Sequence, residues 1–191
     1  MTTFLSLIIA AALVNNVLLV QFLGVSSLFF SNNRLQNSIE LAALNFIVLF
    51  LASVVNLLVF RILLLPLGLV FLKLVVFVSI SSAITILLLK WVEIKFPLSL
   101  RQQKLPFYLA GGNSAVIGIS LLNSLGSLSI AQAIATSLGT ALGFSLLLVA
   151  FAALRLRLET ADIPLPFRGA PIQLISAGIV AMILLGFAGL V

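Results

Sequence analysis

Two short polar runs interrupt an otherwise apolar chain, and they are the strongest candidates for chemistry. One is Asn15-Asn16, and the other runs from Gly111 through Gly112 and Asn113 to Ser114. Carboxamide and backbone carbonyl oxygens at such positions can coordinate a cation or hold a polar solute. The same residue types also serve close packing and hydrogen bonding between helices, so that alternative stays open. The functional interpretation predicts a shared central site at the membrane midplane, formed by Asn15, Asn16, Gly111, Gly112, Asn113 and Ser114.

The residue types that are missing exclude several other chemistries. The 191 residues include no Cys and no His, so the chain has no thiolate nucleophile, no disulfide and no imidazole base or metal ligand. A self-contained hydrolase or metalloenzyme is therefore not expected. The ten Lys and Arg residues form no basic stripe with interleaved aromatic residues, so no nucleic-acid partner is expected either.

The composition is that of a membrane protein. Hydrophobic residues make up 63% of the chain, charged residues make up 7%, and the mean hydropathy is +1.38. A soluble domain carries about 25% charged residues. Most of the outer surface must therefore face lipid, where only helices or closed barrels satisfy the backbone. We predict an all-α, polytopic membrane protein.

Six apolar stretches are long enough to be candidate spans, since a spanning helix needs about 20 mostly apolar residues. They nearly exhaust the sequence, which leaves no room for a separate soluble domain. We predict a single integral membrane domain over residues 1–191, with a first stretch that is retained because it lacks the basic start of a cleavable signal. The six stretches are Phe4–Leu23, Leu41–Leu65, Leu67–Leu89, Leu105–Leu122, Ile130–Leu154 and Ile172–Val191.

The first and fourth stretches contain the two polar runs, so each is predicted to be a broken helix. A helix that is interrupted in hydrocarbon must find its backbone partners in protein or in a water-filled cavity. Each half of the chain, about 1–95 and 100–191, then begins with a broken span followed by two continuous ones. Three spans per half give an inverted 3+3 repeat, a layout used where something crosses at the midplane.

The cations predict the orientation, because Lys and Arg in short loops stay on the cytoplasmic side. The first, third and fifth connections hold eight of the ten cations, and the other side has Arg61 and Lys73, which are interpreted as interface anchors. Both chain termini are therefore predicted to be periplasmic in a bacterial inner membrane. The eight are Arg34, Lys90, Lys95, Arg101, Lys104, Arg155, Arg157 and Arg168.

Small residues recur at every fourth position of the fifth stretch, at Ala131, Ala135, Gly139 and Gly143. Such a stripe allows another helix to approach closely. The approaching helix could belong to the same chain or to a partner subunit, and the sequence leaves both open.

Three runs carry a resemblance to a known family. They are residues 13–24 (LVNNVLLVQFLG), residues 112–123 (GNSAVIGISLLN) and residues 161–169 (ADIPLPFRG). Over essentially the whole chain, the sequence resembles the A-type member of the bacterial Rnf electron-transport complex. The E-type member of that complex and two six-span proteins of the sodium-translocating NADH:quinone reductase share the pattern, but the 161–169 run favours the A type.

The resemblance implies a membrane component of a redox machine that couples NADH and ferredoxin chemistry to transport of sodium or protons. In that family, the A-type and E-type subunits are similar, have opposite topology and hold one [2Fe–2S] cluster between them. The resemblance therefore implies three kinds of partner: the membrane, a homologous six-span E-type subunit, and subunits carrying flavin and iron–sulfur centres.

The sequence departs from the family at the cluster ligands. Each of the two similar proteins in the family contributes two Cys, and the matching positions here are Ser26 and Ser114. A serine hydroxyl is a harder and far less acidic ligand than a thiolate, which counts against a cluster bound in the family's manner. Three interpretations stay open: a Cys-free A-type subunit without the cluster, ligation through serine oxygens with the partner's cysteines, or a paralogue with another membrane role.

Two functions from other classes are also compatible with the pattern. A free-standing small transporter or channel would use the same broken helices to bind its solute. A structural membrane subunit would have no redox site of its own.

Overall fold

The computed structural model describes residues 2–29, 35–95, 113–126 and 128–187. Over these ranges all regular secondary structure is helical, as predicted. A π-helical turn follows α1 at Ala10–Val14, and another extends α4 through Phe60–Leu64. In the described ranges the α-helices are α1 (Thr2–Ile9), α2 (Val17–Val20), α3 (Val25–Phe29), α4 (Leu35–Val59), α5 (Lys73–Lys95), α6 (Ser114–Leu125), α7 (Ile130–Glu159) and α8 (Ala170–Leu185).

Within the part of the chain that the structure describes, three helical segments are long and apolar enough to cross a membrane: Leu35–Leu64, Val70–Val92 and Ile130–Glu159. The two segments of 30 residues are each about 45 Å long, which matches a bilayer with its headgroups. Shorter apolar helical segments cover Phe4–Val20, Ser114–Leu125 and Ala170–Leu185. Each of these six segments overlaps one of the six stretches predicted from the sequence, and several extend beyond its bounds.

The first stretch is broken where Asn15-Asn16 predicted a break. The π-helical turn ends at Val14 with Asn15 as its C-cap, and Asn16 has extended backbone angles (φ −64°, ψ 117°) before α2 begins. A second reversal follows at Phe22 and Gly24, which have φ values of 54° and 74°. The chain then enters α3. The first stretch is thus divided into α1 with its π-helical turn and the short α2, instead of one rod, and α3 lies just beyond it.

The fourth stretch is described only from Asn113 onward. Asn113 has extended backbone angles (φ −70°, ψ 110°), and α6 starts at the next residue. Gly111 and Gly112 lie outside the described residues, as does the start of this stretch. The predicted interruption at these two glycines therefore stays a prediction.

The helix of the second stretch, α4, begins earlier than the apolar stretch itself. The hydropathy of the sequence predicts a start at Leu41, but α4 begins at Leu35. The extra turns include Asn37 and Ser38, which are buried inside the protein. Hydropathy is a measure of transfer into lipid, so it misses polar residues that a helix buries against its neighbours.

The core lies between α4 and α7, which pack along each other. Leu49, Ala52 and Leu148 are fully buried there. One bond between the two helices runs from the hydroxyl of Ser145 to the carbonyl oxygen of Ala42, at 3.0 Å. The other helices pack around this pair.

The small-residue stripe of α7 packs against the first stretch of the same chain. A Cβ atom added to Gly139 would lie 2.9 Å from the Cβ atom of Ala11. One added to Gly143 would lie 2.7 Å from the Cα atom of Ala12. Of the two uses that the sequence left open for these glycines, the described residues show packing within the chain.

Candidate functional site

The first break is held together by the side chain of Asn16, which is 1% exposed. Its Oδ1 accepts a hydrogen bond from the backbone N–H of Leu18 at 3.0 Å, which caps α2. Its Nδ2 donates to the carbonyl oxygen of Ala12 at 2.7 Å. One carboxamide thus satisfies backbone groups on both sides of the break, as a break in hydrocarbon requires.

Asn113 caps α6 in the same way. Its Oδ1 accepts from the backbone N–H of Ala115 at 3.0 Å, and the residue is 1% exposed. Its Nδ2 donates to Oδ1 of Asn45 on α4 at 2.8 Å. Asn45 donates in turn to the carbonyl oxygen of Leu41 at 2.9 Å. The start of α6 is thereby tied to α4 through two buried carboxamides.

The two stretches meet at Gly24 and Ser114. The backbone N–H of Gly24 donates to the hydroxyl oxygen of Ser114 at 2.9 Å. A Cβ atom added to Gly24 would collide with Oδ1 of Asn113 and lie 2.7 Å from Cε2 of Phe144. Only glycine fits here, because φ is also in the left-handed region.

Asn16 and Asn113 both border the middle of α7. A Cβ atom added to Gly143 would lie 2.7 Å from Nδ2 of Asn16. The next residue, Phe144, contacts Gly24, which packs on Asn113. Asn15 differs, because its side chain is exposed on the outside of the break. Two of the asparagines in the predicted site thus come to one region, and the third faces outward.

Ser26 and Ser114 are both exposed. Ser27 beside them is fully buried, and its hydroxyl has no hydrogen-bond partner among the described residues. As ligands for a [2Fe–2S] cluster, Ser26 and Ser114 fit poorly. Neither is a thiolate, and the Ser114 oxygen already accepts the bond from Gly24.

Sequence reasoning missed two buried asparagines in α4. Asn45 is the partner of Asn113, and Asn56 donates to the hydroxyl oxygens of Ser81 on α5 and Ser120 on α6, each at 2.9 Å. The signal was present, since a carboxamide in the middle of a spanning helix calls for a partner on another helix. No cluster of three His, Cys, Asp or Glu residues suited to a metal occurs in the part of the chain that the structure describes.

The fold and this region define the class of the protein: a multi-pass, all-α membrane protein with an interrupted first helix and buried carboxamides at helix starts. More particularly, the chain belongs to the Rnf-Nqr family, described as "Rnf-Nqr subunit, membrane protein", which matches residues 4–191. The family resemblance noted from the sequence is confirmed.

Individual relatives agree with this assignment. The A-type member of the ion-translocating oxidoreductase complex of Alkalilimnicola ehrlichii is 39% identical over 191 residues, which cover 100% of this chain and 99% of the relative. The proteins of the same name from Pseudoalteromonas translucida and Hahella chejuensis are 39% and 36% identical, with the same coverage.

Proposed function

We propose that this chain is a membrane subunit of an ion-translocating electron-transport complex in the bacterial inner membrane. Such a complex couples redox chemistry of NADH and ferredoxin to transport of sodium or protons. Family membership over residues 4–191 supports the proposal, as do the names of relatives that match over their whole length. In the complex, the chain would have neighbours that carry flavin and iron–sulfur centres.

The observation that carries the proposal is the exposure of polar residues around the break. Asn15, Gln21, Ser26 and Ser114 are exposed, although they border a segment that packs at the middle of the long helix α7. Polar groups at such depth are costly against lipid. A second membrane protein with its own polar break would cover them, and we propose that this is the homologous six-span E-type subunit.

The two asparagine caps support an inverted 3+3 repeat. Asn16 and Asn113 have backbone angles within 10° of each other and use the same capping bond to the residue two positions on. Asn16 caps α2 in the first half, and Asn113 caps α6, the helix at the corresponding place in the second half. We propose that Asn15, Asn16, Gly111, Gly112 and Asn113 line the midplane site of the complex.

One side-chain contact supports the proposed orientation, with both termini in the periplasm. Nη2 of Arg61 donates to the carbonyl oxygen of Leu128 at 2.7 Å, which joins the end of α4 to the start of α7. Arg155 and Arg157 lie near the opposite end of α7, which we assign to the cytoplasm.

The chain carries no cysteine, so single introduced cysteines can test the proposed partner. Ser26→Cys or Ser114→Cys would be made in cells that contain the whole complex, and membranes would be treated with a short bis-maleimide. We expect a cross-linked product that contains an E-type subunit. Ser79→Cys, the same change on an exposed face of α5, is the matched control and should give no such product.

Other products would contradict the assignment of the partner. A product with twice the mass of this chain would identify a second copy as the partner. In a second outcome, Ser26→Cys and Ser114→Cys react with single-ended maleimides but give no cross-link, and the chain is isolated as an active monomer. That outcome would identify the chain as a free-standing transporter or channel. An inactive monomer that gives no cross-link would indicate a structural membrane subunit.

A further inference from the structure

The turn that joins α4 to α5 carries no polar side chain. From Ile62 to Leu72 every residue is aliphatic, aromatic, proline or glycine. Several of these side chains are largely exposed, including Ile62 at 65%, Leu67 at 62% and Phe71 at 77%. A turn that projected into water would leave this apolar surface against solvent, at a cost that grows with its area.

The backbone of the turn is also suited to apolar surroundings. Pro66 has no N–H group, and most of the N–H groups around it donate to carbonyl oxygens of the same segment. These donors are Leu65, Leu67, Gly68, Leu69 and Leu72, at 3.0 to 3.3 Å, and Lys73. Internal bonding of this kind is what a turn needs where water cannot supply the partners.

A second connection lies at the same end of the molecule and has the opposite character. Between α6 and α7, Ser129 and Gln132 form a capping box with exposed hydrogen bonds of 2.9 and 3.3 Å. The bond from Arg61 to the carbonyl oxygen of Leu128 brings this connection beside the end of α4. One connection thus uses polar side chains as caps, whereas the α4–α5 turn bonds its own backbone.

The length of α5 places the turn within the membrane. Lys90 and Trp91 are exposed at the far end of this helix, and tryptophan is enriched at membrane interfaces. The helical residues from Val70 to Leu89 cover about 30 Å, which equals the thickness of the hydrocarbon core. The turn therefore begins where the hydrocarbon ends, inside the interfacial layer of the lipid.

We propose that the α4–α5 turn, residues 62–72, is immersed in the bilayer and contacts lipid on its outer surface. Ile62 and Leu63 are adjacent and both largely exposed, so the exposed side chains point in different directions from the end of α4. A protein partner would cover one side of such a turn, whereas fluid lipid surrounds it. Immersion of the turn is independent of the electron-transport function and of which membrane surface the turn faces.

Collision measurements on single nitroxide labels test the proposal. Because the chain carries no cysteine, Leu67→Cys gives one labelled site in this subunit. The labelled chain would be isolated with the proteins that co-purify with it and reconstituted in vesicles of phosphatidylglycerol and phosphatidylcholine. The unaltered chain, treated in the same way, supplies the background. We expect frequent collisions of the label with molecular oxygen, which dissolves in lipid, and few with a polar nickel chelate.

Two further single labels are the references. Ile86→Cys lies on an exposed face in the middle of α5, and Ser129→Cys lies in the capping box of the second connection. We expect the ratio of oxygen to nickel collisions to fall in the order Ile86→Cys, Leu67→Cys, Ser129→Cys. The last two should differ by about tenfold, because a polar chelate is excluded from apolar surroundings.

Two results would contradict immersion in lipid. Nickel collisions as frequent at Leu67→Cys as at Ser129→Cys would place the turn in water. Few collisions with either reagent would show that protein covers the turn, from a second copy of the chain or from another subunit. Phe71→Cys repeats the measurement at the other end of the turn, so that local distortion by one label does not decide the outcome. Either result, at Leu67→Cys or at Phe71→Cys, overturns the proposal.

Discussion

The backbone N–H of Gly24 donates a hydrogen bond to the hydroxyl of Ser114, across 90 residues of sequence. This bond joins the broken first stretch to the start of α6. It forms beside Asn113, whose side chain leaves no room for a Cβ atom on Gly24. The second polar run is therefore joined to the chain that follows the first run through a glycine that neither run contains.

Gly24→Ala should destabilise the protein strongly. The change combines left-handed backbone with a clash against Asn113 and Phe144. Gly68→Ala is the matched control, because Gly68 has a similar φ of 70° but nothing within 4 Å of an added Cβ atom. We expect Gly24→Ala to lower the free energy of unfolding by about 1 to 3 kcal/mol more than Gly68→Ala. Thermal unfolding in detergent measures both, and equal losses would contradict the close packing.

The close approach of α7 to the first stretch predicts a similar contrast. Gly143→Ala should lower Tm, because the new Cβ atom would clash with Ala12 and with Nδ2 of Asn16. Gly178→Ala in α8 meets nothing within 4 Å and should be neutral or raise stability by up to about 1 kcal/mol. Comparable Tm values for the two variants would show that α7 and the first stretch are not in contact.

Asn113 and Asn45 should be energetically coupled. Asn113→Ala removes the cap of α6, which costs about 1 kcal/mol, and leaves Oδ1 of Asn45 without its donor. A double-mutant cycle with Asn45→Ala isolates the bond between them. We expect a coupling of about 1 kcal/mol in unfolding by denaturant. Additive losses would mean that the two carboxamides do not interact.

The proposed orientation predicts opposite labelling at the two ends of α7. Ser129→Cys and Thr160→Cys place single cysteines at exposed residues that flank this helix. A membrane-impermeant maleimide added to spheroplasts should label Ser129→Cys and should reach Thr160→Cys only after lysis. The reverse pattern would invert the assignment of the termini.

Local features of the sequence predicted the elements better than the contacts between them. The break at Asn15-Asn16 was predictable, because two adjacent carboxamides in hydrocarbon need partners that a continuous helix does not give. The bond between Asn113 and Asn45 was not predicted, because it depends on how α4 and α6 are rotated against each other. Asn56 was missed for a related reason: one carboxamide hardly changes the average hydropathy of a long apolar helix.

Introducing cysteines at positions 26 and 114 tests what the serines do in the proposed complex. Because Ser26 and Ser114 lack a thiolate, we expect no [2Fe–2S] signal from this position in paramagnetic resonance of the purified complex, and a signal in the double variant Ser26→Cys/Ser114→Cys. Signals from any other iron–sulfur centre in the preparation would be subtracted with the spectrum of Ser26→Ala/Ser114→Ala.

The control moves one cysteine by a single residue. Ser27→Cys/Ser114→Cys carries the same number of thiols, but Ser27 is fully buried whereas Ser26 is exposed on the face assigned to the partner. A cluster shared between two subunits needs ligands on that face, so this variant should give no signal. A cluster signal already present in the unaltered chain would show that serine oxygens, together with the partner's cysteines, do hold the cluster, and the argument from ligand softness would be wrong.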